Sequence, residues 1–168
     1  MTHRLALAAA TALLIPALAS AQTERISLDG TDVAIYNLAG TMTVARGTGD
    51  KVVVEVTRGG RDAGRLTLAS SAVRGRPSLR VLYPADRIVY PERGRNGRST
   101  FNVNDDGTFG DDGDGGWNRG GRRIEVRSSG DGLEAHADLR VLVPARKRIY
   151  LRNGVGETVG EILGMAPI

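Results

Sequence analysis

From Gln22 onward, apolar and polar residues alternate with a period of two, and no stretch sustains the 3.6-residue apolar period of an amphipathic helix. Alternation sends successive side chains to opposite faces of an extended chain, so the pattern predicts an all-β domain. Strands are expected over 25–28, 33–37, 42–46, 51–58, 65–70, 78–83, 122–128, 137–143 and 148–152. Between them lie glycine-containing segments at 47–50, 58–62, 74–77 and 129–132, whose glycines permit the positive φ of tight turns. The expected arrangement is a meander of antiparallel hairpins.

An internal repeat refines this picture. Leu79-Arg80-Val81-Leu82-Tyr83-Pro84-Ala85 returns sixty positions later as Leu139-Arg140-Val141-Leu142-Val143-Pro144-Ala145, and each copy is followed by a basic residue (Arg87, Lys147) and a tyrosine (Tyr90, Tyr150). A strand-like segment precedes each copy, 66–70 and 124–128, so the repeated unit reads as a hairpin. Within a copy, Leu79, Val81 and Tyr83 (or Leu139, Val141 and Val143) share one face while Leu82 (or Leu142) points away, as in a packed two-layer arrangement. The closing proline fits a strand end because it has no N–H to give a central ladder. A looser echo aligns Val33, Ile35, Asn37 and Gly40 with Ile149, Leu151, Asn153 and Gly156. An Asn and a Gly at the corner of stacked strands would let the backbone turn while the amide satisfies turn groups.

These residues resemble a bacterial adhesin domain family of unknown function, built of β-strand repeats and related to head-type adhesin domains. The resemblance is carried by Ala137 to Pro144 running into Ile149 to Gly156, and supported by 33–44 with its following Gly-Thr-Gly-Asp and by Arg87 to Pro91. It covers most of 22–161 and implies an envelope or surface protein whose entry β-layer leads into the start of a β-solenoid; it brings no catalytic residues. Such chains usually run on through further strand repeats, so 162–168 is expected to be a truncated repeat that leaves a strand edge open to self-association.

The N-terminal segment assigns a compartment. Arg4 precedes an apolar run over 5–15, which is shorter than the roughly 20 residues a membrane span requires. Ala19-Ser20-Ala21 then offers the small residues of a signal-peptidase site. Cleavage is expected between Ala21 and Gln22, making 1–21 a signal peptide, 22–161 one domain and the protein secreted, periplasmic or cell-surface. No integral membrane span is expected in what remains.

The chain carries 23 basic and 19 acidic residues and no cysteine, so strand pairing and burial must hold it together without disulfides. Of the basic residues only Lys51 and Lys147 are lysines, and the arginines are scattered between strands rather than gathered on one segment. No nucleic-acid motif is present, and no nucleic-acid partner is expected.

The conspicuous polar segment is the Asp/Gly-rich loop over 99–119, with five carboxylates in the ten residues 105–114. Asn102, Asn104, Asp106 and Gly107 follow the opening spacing of a calcium loop, but its first position is Asn and its twelfth is Gly113, where a bidentate Glu is required. The loop is therefore read as a solvated hairpin tip, and no metal site is assigned. An acid–base pair is not assigned there either: an exposed loop supplies no burial to raise a carboxyl pKa, and the flanking Arg93, Arg95, Arg98, Arg119, Arg122 and Arg123 would lower it. Those arginines read as charge balance at the loop base. His136 is the one histidine after the leader and reads as a strand-end residue. Trp117 is the single residue assigned a possible ligand contact, by stacking on a sugar ring, although folding back to cap the sheet is the preferred reading. The chain thus reads as a non-catalytic, cofactor-free, adhesin-like module engaging a polysaccharide or an envelope protein. The alternative is an envelope-stress or regulatory sensor, with a secreted carbohydrate-active enzyme ranked last.

Overall fold

The computed structural model describes residues 23–94, 97–110 and 121–160. The leader with its Ala21/Gln22 junction, Trp117 and the tail 162–168 lie outside the described residues. Thirteen strands are described: Thr23–Leu28 (β1), Asp32–Ala39 (β2), Met42–Arg46 (β3), Val52–Gly59 (β4), Thr67–Val73 (β5), Arg76–Leu82 (β6), Arg87–Val89 (β7), Arg98–Val103 (β8), Arg122–Arg127 (β9), Leu133–Glu134 (β10), His136–Val143 (β11), Arg148–Val155 (β12) and Thr158–Gly160 (β13). The helical elements among the described residues are two single 3₁₀ turns, Ala63–Arg65 and Pro91–Arg93. No described helix is long and apolar enough to cross a membrane. The all-β expectation holds.

The strands form three mixed sheets, ordered β1-β4-β11-β3-β13, β12-β2-β6-β5 and β10-β7-β9-β8. Antiparallel ladders join β1 to β4, β4 to β11, β5 to β6 and β8 to β9. The remaining ladders are parallel and join segments far apart in the chain: β2 with β6 and β12, β3 with β11 and β13, and β7 with β9 and β10. Consecutive strands pair as hairpins only in β5–β6 and β8–β9, whereas β1–β4 and β4–β11 are antiparallel but distant in the chain, so the expected meander accounts for two ladders. Parallel neighbours need long connections, so their partners cannot be read from adjacency.

The repeat divides at this point. Its first copy forms the expected hairpin, with Ser70 opposite Leu79 and Leu68 opposite Val81. In the second, β9 pairs with β7 and β8 while β11 pairs with β4 and β3, so the two strands do not form a hairpin and the repeated unit is a single strand. The two Leu-Arg-Val-Leu strands also sit in different sheets. The face assignment stands: Leu79, Val81, Tyr83, Leu139, Val141 and Val143 are buried, while Leu82 and Leu142 are half-buried.

A continuous apolar core runs between the sheets. Val52, Val54 and Val56 of β4 meet the inward residues of β11, and Val33 and Ile35 of β2 stand beside Leu79 of β6, all essentially inaccessible. β2 is buried from Val33 to Ala39 without alternation, because its second face is covered by the segment after β8, where Phe109 packs edge-on against Tyr36 and Phe101.

Candidate functional site

The Asn/Gly echo becomes a stacked corner. β12 lies parallel to β2 with Ile149 opposite Val33, Leu151 opposite Ile35 and Asn153 opposite Asn37. β13 then lies on β3 with Thr158 opposite Met42. Strand, Gly corner and strand thus form an arch, and two arches stack in register. Gly40 N–H donates to Val155 O (3.0 Å) and Met42 N–H to Glu157 O (2.8 Å) across the stack.

The asparagines hold the corner from inside. Asn37, fully buried, donates through Nδ2 to Ala137 O at 2.7 Å and Ala39 O at 3.1 Å. Asn153 repeats this one arch further out, donating to Gly40 O at 3.0 Å and Glu157 O at 3.3 Å. The Tyr83 hydroxyl lies 2.8 Å from Asn37 Oδ1 and 2.9 Å from Ala39 O, and its proton can serve either acceptor. Burial of this phenol pushes its pKa well above the ordinary tyrosine range, so it remains a neutral donor. Asn153 Oδ1 is buried without a partner. The place that Tyr83 fills beside β2 is taken beside β12 by Ala39, which has no hydroxyl. Among the described residues β12 pairs only with β2 and β13 only with β3, so the outer arch presents a row of unpaired main-chain groups.

The residues singled out for chemistry occupy ordinary structural positions where they are described. Asp106, in the calcium-like spacing, uses Oδ1 to accept from Thr108 N–H (3.0 Å) and Thr108 Oγ1–H (2.7 Å). Its other carboxylate oxygen faces buried Arg80 at 3.9 Å, and Arg80 also donates to Asp106 O (3.0 Å) and to Ser71 Oγ. This latch fastens 104–110 over β6, so that part of the loop is anchored and not a free hairpin tip. Among the described residues no three His, Asp or Glu side chains stand close enough to share a metal ion. His136 opens β11 beside Tyr90, with ring centroids 5.1 Å apart, and its Nε2 is 3.8 Å from Asp138 Oδ2. No described hydroxyl is hydrogen-bonded to that imidazole, so no Ser-His-acid relay is assembled there.

The described loop-base arginines separate, Arg95 and Arg119 lying outside the described residues. Arg93 donates to Ser99 Oγ (2.8 Å), and Arg122 binds Asp86 (2.9 Å) and Tyr83 O (2.8 Å). Arg98 and Arg123 stand on the outer face of the β7-β9-β8 sheet instead, so charge balance at the loop base describes only part of the group. Sequence reading missed this placement because β7 and β8 were not expected as strands, and without them the arginines have no common face. Comparison of the chain with family models, curated proteins and solved structures returned no match.

Proposed function

We propose that the chain is a non-catalytic, adhesin-like binding or structural module of the bacterial envelope or surface. In this reading the leader exports it, and the β2–β3 and β12–β13 arches are the first coils of a β-solenoid. The observation that carries the proposal is the register of the two arches, Asn153 on Asn37 and Thr158 on Met42, with main-chain groups on the outer one that are unpaired among the described residues. Stacked coils of this kind grow by adding strands at an open end and act through broad outer faces.

The test is retention of the full chain on whole bacterial envelopes, together with incubation against a panel of glycans. Saturable retention without release of reducing ends is expected. Glycan cleavage that disappears when the aspartates of the 105–114 segment become asparagine would replace this reading with the enzymatic one. Trp117→Ala belongs in the same series, since loss of retention would place the contact on the indole.

A further inference from the structure

We propose that the outer face of the β10-β7-β9-β8 sheet binds an acidic polysaccharide, a linear sugar polymer carrying carboxylates. Arginines distant in sequence meet there through strand register: Arg87 and Thr100 flank Glu125 on either side, Arg123 lies opposite Asn102, and Arg98 lies opposite Arg127. Alternation drives Ile88, Ile124 and Val126 into the core and leaves the arginines outside. Arg65 enters from the turn after β4, and the resulting groove encloses about 590 Å³.

Among the described residues, positive charge on this face exceeds negative. Glu125 is its central carboxylate and already binds Arg98 (2.7 Å) and Arg127. Asp86 at the rim is taken by Arg122. The Arg87 and Arg123 side chains are exposed and, among the described residues, close no ion pair or hydrogen bond, although the charge of Arg87 is felt by Glu125. On the outer face of the five-stranded sheet, by contrast, Arg25 and Arg140 share Glu55, and Asp138 stands on the same strand face as Arg140. Like charges on neighbouring strands repel, and an anionic ligand relieves that repulsion.

The geometry suits an extended anion. Arg87 and Arg98 are two strand spacings and two residues apart, roughly 12 Å between backbones, and Arg123 and Arg127 are roughly 13 Å apart along one strand. A linear chain with repeated charges can meet groups spaced over that length in turn. A guanidinium fork matches a carboxylate by two parallel hydrogen bonds. Glu125 and Thr100 between the arginines accept hydrogen bonds, which sugar hydroxyls supply and a DNA phosphodiester backbone does not. The inference names a ligand class for the binding module proposed above and rests on that reading.

The full chain is tested against polygalacturonate, with neutral dextran, duplex DNA and phosphatidylglycerol vesicles as parallel arms. Polygalacturonate is expected to bind, with affinity falling as salt rises, and dextran not to bind. Arg87→Gln combined with Arg123→Gln is expected to weaken binding about tenfold or more, with circular dichroism and melting temperature unchanged; Arg123→Glu alone provides a second variant. Equal binding by the variants overturns the assignment, as does duplex DNA or vesicle binding as tight as that of polygalacturonate. Retention on envelopes without any affinity for polygalacturonate overturns this face while leaving the module reading intact.

Discussion

At the scale of single residues, the corner depends on a few groups that cannot be exchanged. Gly40 has φ +127° and a Cβ there would lie 2.0 Å from Ala137 O, so Gly40→Ala both strains the backbone and collides with main chain. A loss of about 2 kcal/mol or more is expected in urea unfolding. Tyr83→Phe leaves a buried acceptor without its hydroxyl and is expected to cost about 1–3 kcal/mol by the same measurement. The pH dependence of Tyr83 has a defined sign. Because burial raises the folded pKa, the unfolded phenol ionises first, so this contribution is complete below about pH 10 and is lost as pH rises beyond it. Glu125 behaves oppositely: the hydrogen bond from Arg127, followed by the charges of Arg127, Arg98 and Arg87, holds its carboxyl below the ordinary glutamate range. Its contribution is present above that range and is lost as pH falls through the depressed value. NMR titration of the Glu125 carboxyl carbon should give a midpoint below that of a free glutamate.

At the scale of elements, the two arches share one construction but differ in what lies outside them. Gly156 has φ +122°, and a Cβ there would lie 2.0 Å from Gly40 O, so Gly156→Ala meets the same obstacle as Gly40→Ala. Among the described residues its arch, however, has neighbouring strands on one side only, whereas the β2–β3 arch is held between β6 and β11 on one side and β12 and β13 on the other. Hydrogen exchange should therefore show Gly156→Ala losing protection within β12 and β13 alone, while Gly40→Ala lowers protection across all three sheets. The Arg80–Asp106 latch is a further separable element. Arg80→Ala removes the donor to Asp106 O and leaves the 104–110 segment held by its aromatic contacts, so faster proteolytic cleavage there is the expected outcome.

At the scale of the whole molecule, the ladders that define the fold join distant segments. β2 lies between β6 and β12, so its sheet cannot close until residues beyond 148 are available. Loop-closure entropy must be met before such contacts stabilise anything, and refolding on the millisecond-to-second scale is expected by stopped-flow fluorescence. A single core shared by all three sheets predicts one cooperative thermal transition, read identically by far-UV circular dichroism and calorimetry.

Local alternation determined that this chain forms strands and which side chains face inward, because the two-residue period is a property of the extended backbone itself. The Asn/Gly echo also identified two segments that stack in register, since both need the same corner chemistry. Pairing was decided elsewhere. Arg80 and Arg140 occupy the same place in the repeat, yet Arg80 is buried under 104–110 and bound to Asp106, while Arg140 is exposed and bound to Glu55. The arginines of the outer face look scattered along the chain and become neighbours only through the parallel register of β7 and β9 and the antiparallel register of β8 and β9. A strand's sequence specifies its two faces, but its lateral neighbours are fixed by burial across the whole molecule, and only the assembled sheets contain that information.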